Sequence, residues 1–293
     1  MTFKERQIDV QFTLADDAFP GGSKTLSLKR HRIQASISSE ARGAFAHYAI
    51  AIRIFGMRLL DMNALTIWNR EGVLNATNRI TVTAGNAGEM LYTVFDGTIF
   101  GAVPQFDDNG ESSFVVTGRG ALMEQVTPAA PKHYEGTLDV RSLIAGLAQQ
   151  AGLTFQDHGV TAKISGQYLW GSTMDQIERL AMASRTVALL DHRRVLHIWP
   201  ADGFPKLPEV NLAPGQGLIG YPKFEPTGMV VRAEFDPALL YGSQVNVKSI
   251  IPLATGKWSI ISLTHDLTTL TPNGGWFTDL RLNLPGFTYC RVN

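Results

Sequence analysis

Seven histidines are the side chains best suited to hold a metal or move a proton in this sequence. His192 and His197 flank a short polar turn and His265 adjoins Asp266. None falls in an H-x-x-x-H or H-E-x-x-H pattern, so hydrogen-bonded or surface histidine is expected rather than metal ligation. Asp175 and Glu178 could in principle share the acid and base work of a glycosidase, but both belong to an expected solvated helix face. No G-x-S-x-G elbow is present, and Cys290 stands three residues from the end, a poor place for a nucleophile. The run GQGLIG, Gly215 to Gly220, fits the dinucleotide pattern G-x-G-x-x-G. Pro214 before it and Tyr221-Pro222 after it deny it the strand and helix that phosphate binding needs, so a loop is expected. The sequence thus predicts no catalytic, cofactor or metal site.

One basic cluster stands out. LKRHR, Leu28 to Arg32, offers Lys29, Arg30, His31 and Arg32 to a phosphate. In an extended strand, Lys29 and His31 would face away from Arg30 and Arg32, which predicts a solvated or inter-subunit strand surface.

The bulk properties agree with a protein that binds by shape. Its 26 basic and 26 acidic residues cancel, leaving no global field to recruit nucleic acid or an acidic membrane. The 293 residues, 44% of them hydrophobic, suffice for two or three domains, each with its own core. The start, MTFKERQIDVQF, carries charges where a secretory signal needs an apolar stretch, and no run of about 18 apolar residues occurs. A soluble chain is expected. A single cysteine excludes an internal disulfide and suits a reducing cytoplasm, so the sequon at Asn75-Ala76-Thr77 carries little weight.

The elements follow from periodicity. Ile8, Val10, Phe12 and Leu14 alternate with polar residues, predicting a half-buried strand. TLSLKRHRIQASIS and AFAHYAIAIRIFGM predict a long antiparallel hairpin turning at SEARG, with a short helix in MRLLDMNALTIWN. RITVTA, LYTVF, TIFGAV and SSFVVTG read as short strands parted by Gly85-Asn86, Asp96-Gly97 and Asp108-Asn109-Gly110. The period then changes. Val140, Leu143, Ile144, Leu147, Ala148 and Ala151 form a helical stripe ended by Gly152, and Ser172 with Asp175 has capping-box spacing ahead of a second helix. TVALLD and RVLHIWP predict a hairpin around Asp191-His192-Arg193, followed by a proline-spaced linker from Pro200 to Pro214. Strand patterning returns in MVVRAEF, SQVNVKSI, KWSIISLTH and WFTDLRLNL, with a turn at Pro272 to Gly275.

The two β regions share a rhythm. From Ile80, landmarks fall at +12 (Tyr92), +29 (Asn109) and +34 (Phe114); from Val245 they fall at +12 (Lys257), +28 (Asn273) and +32 (Phe277). This spacing suggests a duplicated β-domain. Three copies of such a chain would present six similar domains in a ring, a geometry able to join a hexamer to a trimer.

TLDVRSLIAGLAQQAGLTF, WGSTMDQIERLA with the hairpin after it, YGSQVNVKS, and SLTHDL with GGWFT, in that order, resemble the baseplate hub proteins of tailed phages, especially contractile ones, and of phage-tail-like injection machines. The resemblance spans Ile8 to Leu282 and is firmest after Leu138. It implies a mainly β protein with α+β content: a tube-like β-barrel domain at 1–130, a small α+β domain at 131–203 and a second tube-like domain at 204–293. It further implies a non-catalytic homotrimer between a hexameric tail tube protein and a trimeric central spike protein, beside other baseplate or tape-measure proteins. Such a protein is assembled in the host bacterial cytoplasm and carried in the virion. DNA would transit its channel without specific nucleic-acid binding; no membrane binding and no cofactor are implied. Lys29, Arg30, His31 and Arg32 then become candidate interface or channel-lining residues.

Two other classes of protein are compatible with the sequence. One is a cell-wall or polysaccharide hydrolase with β-rich binding modules. The other is a carbohydrate-binding module, which would need exposed Trp170, Trp199 or Trp276 to form a platform. Trp276 alternates onto the same face as Leu280 and Leu282, which predicts burial instead.

Overall fold

In the computed structural model, which describes residues 5–67, 77–107 and 110–284, the protein is mainly β, with a few short helices. The sequon's Asn75 and Ala76, the turn residues Asp108 and Asn109, and Cys290 lie outside the described residues. Two compact units emerge: residues 1–38, 48–122 and 265–277 form one, and residues 39–47, 123–264 and 278–293 the other.

The first unit is a sheet built from β1 (Arg6–Thr13), β2 (Thr25–Leu28), the first part of β3 (Ile33–Arg42), most of β4 (Phe45–Phe55), β5 (Arg79–Asn86), β6 (Tyr92–Phe106), β7 (Ser112–Arg119) and the end of β17 (Gly256–Thr269). Its order is β17-β3-β4-β7-β6-β5-β1-β2. The alternation read in β1 holds: Ile8, Val10 and Phe12 are buried against a register that pairs Val10 with Val82 and Phe12 with Ile80. Helix α1 (Leu59–Leu65) follows β4 as expected.

Three stretches differ from the sequence expectation, the first being Gly85-Asn86, which ends β5 instead of forming the turn. LYTVF and TIFGAV are one strand of 15 residues, running straight through Asp96-Gly97. A Cβ on Gly97 would lie 2.5 Å from the Arg119 carbonyl oxygen, so the glycine serves close approach of neighbouring strands rather than a turn. Asp96 stays in the strand, ion-paired with Arg79 across the β5–β6 ladder. Likewise the first arm of the long hairpin is interrupted, with Lys29 to Arg32 left out of both β2 and β3.

The second unit holds a closed six-stranded barrel and a small α+β part. The barrel runs β16 (Gln244–Val247), β13 (Val210–Pro214), β14 (Gly217–Glu225), β15 (Gly228–Glu234), β18 (Trp276–Asn283) and β17, and the β16–β17 pairing closes it. Its core is Leu212, Leu218, Met229, Val231, Ala233, Val245, Val247, Trp258, Ile260, Leu263, Leu280 and Leu282. Closure removes the free edges an open sheet would expose. The expected linker to Pro214 therefore contains a strand, because Val210–Leu212 pair in parallel with Val245–Val247. At Gly228 a Cβ would sit 2.0 Å from the Leu282 carbonyl oxygen, so only glycine lets β15 and β18 approach there.

The α+β part carries α2 (Leu122–Val126), β8 (Lys132–Asp139), α3 (Val140–Gln150), β9 (Thr154–Asp157), β10 (Lys163–Leu169), α4 (Thr173–Ala183), β11 (Thr186–Leu190) and β12 (Val195–Pro200). Both predicted helices form where their apolar stripes placed them. Ser172 accepts from the Asp175 amide while the Asp175 carboxylate accepts from Ser172, a complete capping box. β11 and β12 make the predicted hairpin, and β9 adds to β12 in parallel.

Candidate functional site

The basic cluster lies in a loop. Arg30 has φ of 55°, a left-handed conformation that ends any strand alternation, so the expectation that Lys29 and His31 face away from Arg30 and Arg32 fails. Lys29 and Arg30 are exposed, whereas His31 and Arg32 are half-buried. His31 Nδ1 sits 3.0 Å from the Lys29 carbonyl oxygen, and the His31 carbonyl accepts from Thr269 Oγ1 at 3.0 Å. The Arg32 guanidinium stacks 3.7 Å from the centre of the Phe55 ring and pairs with Glu111. Arg32 is thus committed to the protein, leaving Lys29 and Arg30 as the outward charges. Arg32→Ala should cost about 0.5–2 kcal/mol through the lost cation–π contact and partly exposed ion pair, measurable as a lower denaturation midpoint.

A second surface was not singled out by the sequence. The outer face of the barrel is a groove of about 680 Å³ lined by Ile219, Tyr221, Lys223, Val230, Arg232 and Arg281, among others. Arg232 forks onto Asp279 at 2.7 and 2.8 Å. The alternation in MVVRAEF held the signal, since Val230 and Arg232 must point away from the buried Met229, Val231 and Ala233.

The histidines gather where sequence spacing could not show it. Asp191, His197 and His158 are buried and form a chain: His158 Nε2 lies 2.9 Å from His197 Nδ1, and His197 Nε2 lies 3.4 Å from Asp191 Oδ2. A carboxylate–imidazole pair invites comparison with a nucleophile-activating base. The far end of this chain meets the Lys206 backbone N–H at 3.0 Å, which can only donate, so no hydroxyl or thiol is placed to be deprotonated. Burial holds the His158 and His192 pKa values down at about 4. Among the described residues no group of three or more His, Cys, Asp or Glu is placed to hold a metal ion. Asp175 is occupied by its capping box; Gly215 and Gln216 turn between β13 and β14, and Gly217 to Gly220 belong to β14, so the expected loop is mostly strand, with no helix after it.

Each tryptophan weighed for a sugar platform is engaged within the protein. Trp199 is fully buried, and Trp170 lies beneath the Arg179 guanidinium at 3.6 Å. Trp276 is half-buried in the first unit with Arg6 over its ring at 5.3 Å, so it does not join Leu280 and Leu282 in the barrel core. The strand crosses from one unit to the other after Phe277, and the barrel's buried face begins at Thr278. Among the described residues no helix is long and apolar enough to cross a membrane.

A closed barrel, a second extended sheet and an α+β part define a mainly β protein built of several modules. The fold matches the 43 kDa tail protein of prophage MuSo2 from Shewanella oneidensis (TM-score 0.60, 12% identity, 97% of each chain). It also matches the tail protein from Neisseria meningitidis MC58 (TM-score 0.64, 10% identity, 96% of this chain and 97% of that one). A third likeness is the Escherichia coli c3393 protein, a type VI secretion component described as similar to T4 tail proteins gp27 and gp5 (TM-score 0.55, 12% identity, 89% and 74% covered). No curated protein matches the sequence. The family model for baseplate hub gp41 matches residues 32–272, and the chain belongs to that family. It is a structural component of a phage tail baseplate.

Proposed function

We propose that the protein is a homotrimeric adaptor that joins the hexameric tail tube to the trimeric central spike and encloses a channel for DNA. The observation that carries this reading is the pair of matching meanders. β5-β6-β7 and β16-β17-β18 each place a long central strand, of 15 and 14 residues, between two short ones. Two such modules per chain give a trimer six of them, which meets a sixfold partner on one side while the chain itself keeps threefold symmetry for the other. Tail tube protein, spike protein and other baseplate or tape-measure proteins are its partners in this reading. We divide the chain as 1–130, 131–203 and 204–293, the outer two segments being tube-like. Lys29, Arg30, His31 and Arg32 belong to an interface or to the channel wall, with Lys29 and Arg30 the residues free to face outward.

Light scattering of the purified protein should give about three chains per particle, or a concentration-dependent approach to it where the interface needs its partners. A monomer that fails to assemble even beside tube and spike proteins would refute the trimer.

The adaptor role needs no chemistry. Peptidoglycan and polysaccharide panels should show no turnover: the two carboxylates that line one cavity, Asp107 and Glu111, are engaged within the protein, Glu111 with the Arg32 guanidinium and Asp107 with the Glu111 amide. Turnover abolished by one Asp or Glu substitution would overturn this and favour the hydrolase reading.

A further inference from the structure

The buried histidine chain has defined proton positions. The Lys206 N–H must donate, so His158 Nδ1 accepts it and is unprotonated. The His158 proton then sits on Nε2 and is donated to His197 Nδ1, leaving the His197 proton on Nε2 to face Asp191. Asp191 Oδ1 accepts from the Arg193 and Val195 amides at 2.8 Å each, and Oδ2 faces the Arg193 guanidinium at 3.2 Å. Every junction holds one proton. A proton added at His158 Nδ1 sets two donors facing each other at the Lys206 junction. That junction yields most easily: the other junctions join buried side chains, while residues 201–209 are mostly exposed and without a strand or helix.

We propose that the His158–His197–Asp191 chain is an acid-operated latch, which at neutral pH ties residues 201–209 onto the β9 and β11–β12 strands and releases them when one proton is added. This segment is the connection from the α+β part to β13, the first barrel strand, so the latch governs how tightly that connection is held.

The surrounding charges set its range. Burial, with His197 and Lys206, opposes a charge on His158, and Asp157 at the end of β9 favours one; the outcome is a pKa lowered from 6.5 to about 4. His192 and Arg193 face Asp191 from the hairpin turn. Arg141 reaches Asp157 at 3.8 Å, and Arg194 is occupied by Glu124. Release is therefore expected as the pH falls from about 6.5 toward about 4.

Hydrogen exchange of the 201–209 peptide tests this, with rates corrected for the chemical effect of pH. Protection should fall by up to about tenfold per pH unit across that range, the slope of a one-proton event, while β14–β15 peptides keep theirs. His158→Gln keeps a donor for His197 Nδ1 but does not titrate, so the slope should flatten. Protection of 201–209 that ignores pH, that falls only together with the barrel, or that keeps its slope in His158→Gln would overturn the latch. Nitrogen NMR of the wild-type ring gives a readout independent of any variant: His158 should be the Nε2–H tautomer at neutral pH, and an Nδ1–H tautomer would also overturn it.

Discussion

Trp258→Ala is expected to destabilise the barrel by about 3–5 kcal/mol, the cost of a large buried aromatic replaced by a cavity. Trp258 sits on β17 opposite Val245, is only 8% exposed, and donates its indole N–H to the Ala254 carbonyl at 3.0 Å. It therefore fills the seam where β16 meets β17 and the barrel closes. Losing it removes packing and leaves the Ala254 carbonyl without that donor. Trp276→Ala should cost less, because that ring is half-buried and outside the barrel. Chemical denaturation of the two variants side by side tests the contrast, and a sugar panel gives the control. Equal melting losses would contradict the placement of the two rings. A Trp276→Ala protein that melts normally and has lost sugar binding would restore the carbohydrate-module reading.

Asp191→Ala should be about as damaging, at roughly 3–5 kcal/mol, since it strips a buried acceptor from His197 Nε2 and from the Arg193 and Val195 amides together. Burial alone would raise the Asp191 pKa, but the His197 hydrogen bond, the charge His192 can carry and the Val195 amide outweigh it and hold the value at about 2. The sign follows from linkage: a carboxyl with a depressed folded pKa stabilises fully above 3.8 and loses that contribution as the pH falls through about 2. The histidines act earlier. His158 and His192 titrate near 6.5 when unfolded and near 4 when folded, so the unfolded chain takes up protons first. Stability is full above about 6.5 and should fall by about 2 kcal/mol per histidine between about pH 7 and about pH 5. Urea titrations at several pH values check this, and an unchanged midpoint across that interval would contradict the buried neutral histidines.

The sequence by itself determined the elements whose signals are local. The helix stripe from Val140, the Ser172–Asp175 capping box and the hairpin around Asp191-His192-Arg193 each have a pattern written within a few residues, and the alternation of β1 marks its buried face whatever strand supplies the partner, so each appeared where its pattern lay. The order of motifs was legible too and pointed to the family. The tertiary structure decided everything that depends on what lies across a sheet. Gly97 looked like a turn and is a strand residue, because its constraint is the Arg119 backbone 22 positions away. Val210–Pro214 looked like linker and is a barrel strand, because its partner Val245–Val247 is supplied 35 residues later. Arg30 broke the basic strand through a left-handed backbone that the run LKRHR gives no sign of. The histidine chain draws residues 158, 191, 197 and 206 together from three separate segments, and none has a spacing that announces the others. Periodicity records which face of an element is buried, whereas closure of the barrel and the meeting of the histidines depend on long-range pairing, which single-chain spacing does not encode.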